Sequence, residues 1–298
     1  MTVTLRLFTG ENDVARTLRI GSRLDKYRLL KRLGSGGFAT VFSAIDQIEN
    51  RHVALKVPEE KYVSNASSLE DLQREVRIMA KLDHDHILQL KDARFIDGRF
   101  VMVFPLGDES LDDRLHRRLS RQTAILYAAQ MMDAVAFAHS NKILHRDIKP
   151  DNFIIFAGNH IRLTDFGLAR IELGRGNESA SGTLGYMAPE QAMGHPSFRS
   201  DVFALGLVLY RMFAGELPSY PFEAPLPGFN KLRRGLSPDV VALIRKAIDP
   251  VPSKRFRDAV AMQNAFIAIK TPLSARVTSK SATATSKRTK SSGRRKVA

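Results

Sequence analysis

No cysteine occurs among the 298 residues. Disulfides, thiolate catalysis and cysteine-held zinc are thereby excluded, and the absence fits a reducing compartment. No apolar run reaches the ~20 residues that a membrane-spanning helix needs. The longest, such as Val202 to Leu209, suits a buried helix. Met1 to Phe8 lacks the basic-then-apolar order of a secretion signal, so a cytoplasmic protein is expected. Residues 271–298 contain no acid but eight Lys or Arg. The net charge is +15, and subtraction leaves +7 for the rest of the chain. A tail of Ser, Thr, Ala and basic residues cannot build a core and is expected to be disordered. It suits a solvated tail, or an arm for an acidic partner or nucleic acid. No internal repeat is present.

What remains is ordinary for a globular protein, with 44% hydrophobic and 26% charged residues. The length fits one large domain or two lobes around a cleft. Short β-rich runs come first: Tyr27 to Leu33, Ala39 to Ala44 and His52 to Val57. A helix follows, with Ser67 and Glu70 resembling a capping box and Leu72, Val76 and Met79 forming a stripe. Glu75 projects beside that stripe. Two strands then turn at Asp97-Gly98. Helical patterns recur at 123–140, 201–214, 238–248 and 258–269. A β-rich half followed by an α-rich half implies two lobes. The expected organisation is an extension at 1–24, a catalytic domain at 25–270 and the tail at 271–298.

Gly34-Ser35-Gly36-Gly37-Phe38-Ala39 lies between two strand patterns. Glycines let a backbone turn tightly and aim N–H groups at phosphate oxygens, but a plain hairpin needs glycine too. A partner is required, and Lys56 is available. It sits in the apolar strand Val53-Ala-Leu-Lys56, where a lysine must find an anion or snorkel out. Glu75 is the expected counter-charge, which would leave the ammonium facing the α- and β-phosphates of ATP.

His145-Arg146-Asp147-Ile148-Lys149-Pro150-Asp151-Asn152 is the sharpest signal. It puts a base, a cation and an amide within six residues, between apolar segments where polar groups need a reason. Thirteen residues after Asn152 comes Asp165 in Asp165-Phe166-Gly167, a hard oxygen ligand suited to Mg2+. A turn ending a strand explains that triplet equally well in isolation. His84-Asp85-His86 invites a metal reading, but no third ligand clusters with it and a loop reading is preferred.

Together these motifs, with Met187-Ala-Pro-Glu190, resemble the eukaryotic-type serine/threonine protein kinases in order and spacing, over about residues 25–270. Gly182 to Gln191 resembles the bacterial branch. The resemblance implies a bilobal α+β fold: a β-rich N-lobe with one key helix and an α-rich C-lobe. It implies transfer of the ATP γ-phosphoryl to Ser or Thr hydroxyls of proteins, the enzyme itself included. Asp147 would be the base and Lys149 would steady the γ-phosphate. Asn152 and Asp165 would hold Mg2+, with Mn2+ an alternative. Lys149 and Thr183 would mark serine or threonine as acceptor. Leu33, Val41 and Ala54 would roof the adenine and Ile154 would floor it. Val103 would be the gatekeeper, and the backbones of Phe104 and Leu106 would bond adenine. Asp201 would buttress the catalytic loop, and Glu190 would pair with Arg255. Arg146 implies a phosphorylated activation loop, with Ser179 and Ser181 as candidates.

Ala39 replaces the third loop glycine, and Phe203 stands where the family often has tryptophan. A pseudokinase scaffold would need a lost catalytic group, and none is missing. A small-molecule kinase would lack the Ala-Pro-Glu190 segment.

Overall fold

The structure, a computed structural model, describes residues 18–166, 184–222 and 224–269. Gly167, Ser179, Ser181, Thr183 and the basic tail lie outside them. Six antiparallel strands form the first sheet: β1 (Arg23–Leu24), β2 (Tyr27–Ser35), β3 (Ala39–Asp46), β4 (Arg51–Pro58), β5 (Asp92–Ile96) and β6 (Arg99–Pro105). Their spatial order is β1-β2-β3-β4-β6-β5. Asp97 and Gly98 both take positive φ (47° and 74°), which a two-residue hairpin between β5 and β6 demands.

The sheet has two unlike faces, because successive side chains alternate and cross-strand partners share a side. Leu55 stands opposite Val103. Both join Leu24, Tyr27, Leu29 and Val53 in an outer apolar cluster. Lys56 stands opposite Met102, and Ala54 opposite Phe104. Met102 and Phe104 belong to the second, larger cluster, which continues into the other lobe.

Two helices sit between β4 and β5: α1 (Glu60–Val63) and α2 (Ala66–Met79). The N-cap of α2 is Asn65, whose side chain accepts from the N–H groups of Ser67 and Ser68. The capping box suggested by Ser67 and Glu70 is not the device used, because asparagine caps equally well and comes first. Leu72, Glu75 and Met79 are buried on one face.

The second lobe opens with β7 (Glu109–Ser110), α3 (Leu111–Leu115) and α4 (Arg121–Ser140). The strands β8 (Phe153–Phe156) and β9 (His160–Leu163) then pair with β7 in a small sheet ordered β7-β8-β9. The remaining helices are α5 (Pro189–Ala192), α6 (Phe198–Ala214), α7 (Phe229–Gly235), α8 (Pro238–Ala247) and α9 (Ala259–Ala268). Helix α6 is buried almost all round, as its apolar circumference requires. Gly206 lets it approach α8: an added Cβ would lie 2.8 Å from both Ala247 Cβ and Ile248 Cγ2. The bilobal α+β architecture is thus the one the sequence implies.

Candidate active cleft

The run from His145 to Asn152 is held by groups far away in sequence. Asp201, in the first turn of α6, accepts the N–H of His145 (2.8 Å) on one carboxylate oxygen and that of Arg146 (2.9 Å) on the other. Arg146 has φ 69°, a left-handed conformation that non-glycine residues adopt uncommonly. Its carbonyl accepts from Gln191 Nε2 (2.6 Å). His139, near the end of α4, completes the set. Its Nδ1 accepts the N–H of Ala259 (2.9 Å), so its Nε2–H donates to Asp201 (3.0 Å). Asp201 was legible in the sequence, whereas His139 and Gln191 were missed. A lone histidine in an apolar helix was the available signal.

Asp147 is fixed by its own neighbours. Asn152 Nδ2 donates to the Asp147 backbone carbonyl (2.7 Å) and to Oδ2 (2.9 Å). Lys149 Nζ lies 2.9 Å from the same Oδ2. Burial works against the charge of Lys149, but Asp147, Asp151 and Asp165 outweigh it and raise its pKa. Because Asn152 spends its amide nitrogen on Asp147, the planar amide directs Oδ1 the other way.

Lys56 does not pair with Glu75 as the sequence suggested. Its ammonium bonds Asp165 Oδ1 at 2.6 Å. Both Glu75 oxygens are buried without a hydrogen-bond partner. Burial pushes the Glu75 carboxyl up to about 8, against the pull of Lys56. Asp165 moves the other way: burial would raise it, but Lys56 outweighs burial and lowers it. One lysine faces two carboxylates, and the closer contact wins. Asp165 has φ 63°. Next to it, Phe166 packs on the His145 ring, with centroids 4.7 Å apart.

The glycine turn sits above this pair. Gly36 N–H donates to Ala39 C=O (3.1 Å). A Cβ added at Gly34 or Gly36 would meet nothing within 4 Å, so protein packing does not demand glycine at either position. Phe38 is buried against Tyr62 (centroids 4.7 Å apart), with Lys56 Nζ 5.9 Å from its ring. Val41, Ala54, Leu106 and Ile154 are half-buried and Leu33 is exposed. Gly107 presses on the small sheet, where a Cβ would stand 2.3 Å from Ile154 Cγ2 and 2.9 Å from Ile155 O.

Val103, expected as the gatekeeper, lies on the face turned away from Lys56. Its carbonyl accepts from Lys91 N–H (2.8 Å). Met102 shares the face of Lys56. Backbone alternation therefore turns Val103 away from the cleft and puts Met102 and Phe104 on the face of Lys56 and Ala54. Phe104 stands opposite Ala54 in the ladder, with its own side chain buried.

Beside the run from His145 to Asn152 lies a cluster the sequence did not reveal. Arg211 Nη1 donates to Asp112 Oδ1 (2.5 Å) and to the Tyr186 hydroxyl (2.8 Å). Burial and the neighbouring Asp112 raise the Asp151 pKa. Three residues from distant segments leave no local pattern to find. The Glu190–Arg255 pair is present and bidentate, at 2.8 and 3.1 Å. His84 pairs with Asp133 (3.3 Å), and His86 Nδ1 contacts Ile161 O (3.1 Å). Among the described residues no group of three His, Cys, Asp or Glu side chains is placed to hold a metal ion. No helix among them is long and apolar enough to cross a membrane.

The family model for the protein kinase domain matches residues 27–267. Serine/threonine-protein kinase PknD of Mycobacterium tuberculosis is 32% identical over 260 residues, covering 81% of this chain and 39% of that protein. CBL-interacting serine/threonine-protein kinase 20 of Arabidopsis thaliana is 28% identical over 256 residues, covering 81% and 58% respectively. The chain thus spans less than two thirds of the length of these relatives. The solved Mycobacterium tuberculosis PknI kinase domain superposes with a TM-score of 0.64 at 24% identity, covering 84% of this chain and 98% of that one.

Proposed function

This chain belongs to the protein kinase domain family, and from that premise we propose that it is an ATP-dependent serine/threonine protein kinase acting on proteins, itself included. The observation that carries the reading is the convergence of Asp147, Lys149 and Asn152 next to the Lys56–Asp165 pair. Relatives named as serine/threonine kinases support the acceptor class. Lys149 supports it too, and Thr183, outside the described residues, is its proposed partner. A cytoplasmic location goes with the reading.

The donor set fits a hard divalent cation: the Asp165 carboxylate and the outward Asn152 Oδ1 are both oxygen ligands. We assign Mg2+ there, with Mn2+ an alternative. When bound, the nucleotide and cation supply the transferable phosphoryl group and neutralise its charge. The protein positions and polarises. Asp147, with Oδ2 held by Asn152 and Lys149, has its other oxygen to orient the acceptor hydroxyl and take its proton. Lys149 offers positive charge where negative charge builds up. Lys56 would grip phosphate oxygens from the strand side, under the turn of Gly34, Ser35, Gly36, Gly37 and Phe38. Val41, Ala54, Met102 and Ile154 enclose the base.

The test is phosphotransfer from ATP to protein by the wild type and Asp147→Asn. Loss of the general base should lower kcat by about 10²–10⁴-fold, with thermal unfolding unchanged. Near-normal turnover by Asp147→Asn would remove the assignment. Salt-sensitive nucleic-acid binding that disappears without residues 271–298 would add a role for the basic tail.

A further inference from the structure

On the face of the first sheet turned away from Lys56 lies a cavity of about 480 Å³ that the proposed chemistry does not use. Its floor is apolar: Tyr27, Val53 and Val103 from the outer cluster, then Pro105 and Leu106 where the chain leaves β6. Phe156 and Arg162 of the β8–β9 hairpin also line it, so the cavity touches both lobes from behind.

Its acids are already matched. Asp46 pairs with Lys26, Glu49 with Lys26 and Arg51, and Asp92 with Arg94. Two of its cations have no acidic partner among the described residues. Lys91 Nζ donates to the Gln89 side-chain oxygen (3.2 Å). Arg162 donates to the Asp85 carbonyl (3.2 Å) and lies over the Phe156 ring (4.7 Å). An apolar floor with one unmatched cation from each lobe fits an extended segment carrying apolar side chains and two carboxylates.

Residues 1–17 have the composition for it, and Leu18, which follows them, lies at this face. Leu18, the first described residue, packs on the outer cluster. Ahead of it, Val3, Leu5 and Leu7 alternate with Thr4 and Arg6, and Glu11 and Asp13 are the only acids in residues 1–17. In an extended conformation, alternation would put the three apolar residues on one side and Arg6 on the other. Asp13 lies five residues from Leu18, a span of up to about 17 Å when extended. Tethering makes the encounter intramolecular, so weak contacts suffice.

We propose that residues 1–17 of this chain dock in the cavity behind β6, with Glu11 and Asp13 meeting Lys91 and Arg162, and so tie the two lobes together from the back. The inference does not depend on catalysis. The test is hydrogen exchange on the full chain in four forms: wild type, Lys91→Glu/Arg162→Glu, Glu11→Lys/Asp13→Lys, and all four reversals combined. Either pair of reversals should speed exchange of residues 1–17 and of 103–106 by about three- to tenfold, the effect two exposed ion pairs can supply. The fourfold swap should restore protection. Raising salt should speed exchange in the wild type and leave the two singly reversed forms unaffected. Equal exchange in all four forms, or no rescue by the swap, overturns the proposal. Loss of protection on reversing the cavity but not the segment would give the cavity to another occupant and overturn it equally.

Discussion

Lys56 reaches two carboxylates and bonds the one that is also the proposed metal ligand. Glu75 is left buried without a partner and holds its proton up to about pH 8. That value lies above the ordinary 4.5. Between the two, the folded protein keeps a proton that the unfolded chain releases. The stabilisation is therefore full below about 4.5 and is lost as pH rises through about 8. Its upper limit is about 5 kcal/mol, since each tenfold gain in proton affinity is worth about 1.4 kcal/mol. Glu75→Gln, neutral at every pH, should flatten this decline. Urea unfolding at pH 5, 6.5 and 8 would show wild-type stability falling across the series while the variant stays level. The sequence offered both acids but not the choice between them, since spacing places a lysine near a helix and a loop without giving either distance. Asp147, Lys149 and Asn152 were legible because their chemistry is local.

At the scale of elements, β6 explains a misplaced residue. Val101-Met102-Val103-Phe104 is apolar throughout, so no polar residue marks which side faces water. Register supplies what composition does not: Met102 is opposite Lys56, and Val103 is opposite Leu55. Met102→Ala should therefore change KM for ATP severalfold. Val103→Ala should leave KM alone and cost about 1–3 kcal/mol of stability by emptying the outer cluster. Steady-state kinetics with thermal melts of both variants separates the two faces. Arg255 makes a comparable case at the junction of α5, α6 and the turn before α9. Its guanidinium is fully buried, bonds Glu190 twice, caps the carbonyls of Arg199, Asp249 and Pro250, and lies 4.3 Å over the Phe203 ring. Arg255→Ala strands a carboxylate and three carbonyls, at a cost of about 3–5 kcal/mol. Chemical denaturation should show that loss, and Arg255→Lys should recover little of it, because lysine cannot form the fork.

At the scale of the molecule, the larger apolar cluster and the passage at Gly107 connect the two lobes around the proposed nucleotide site. A nucleotide gripped from both sides stabilises the folded state by mass action. At a hundredfold excess over Kd this is worth about 2.7 kcal/mol. A non-hydrolysable ATP analogue should raise Tm by several degrees with Mg2+ and by less once the cation is chelated. The lobes themselves were legible, because a change from period-2 to period-3.6 patterning near Leu111 is a coarse signal that survives local ambiguity. The contacts that hold the run from His145 to Asn152 were not, since they join residues more than forty positions apart.

One of those contacts limits how short the protein can be made. The N–H of Ala259 points the His139 ring at Asp201, and Asp201 holds the backbone of His145 and Arg146. A stop codon between Glu190 and Ala259 would therefore remove more than a helix. It would leave a buried ring nitrogen without its donor and loosen the proposed general base Asp147, 112 positions upstream, in a fragment that still contains every motif from the glycine turn to Glu190.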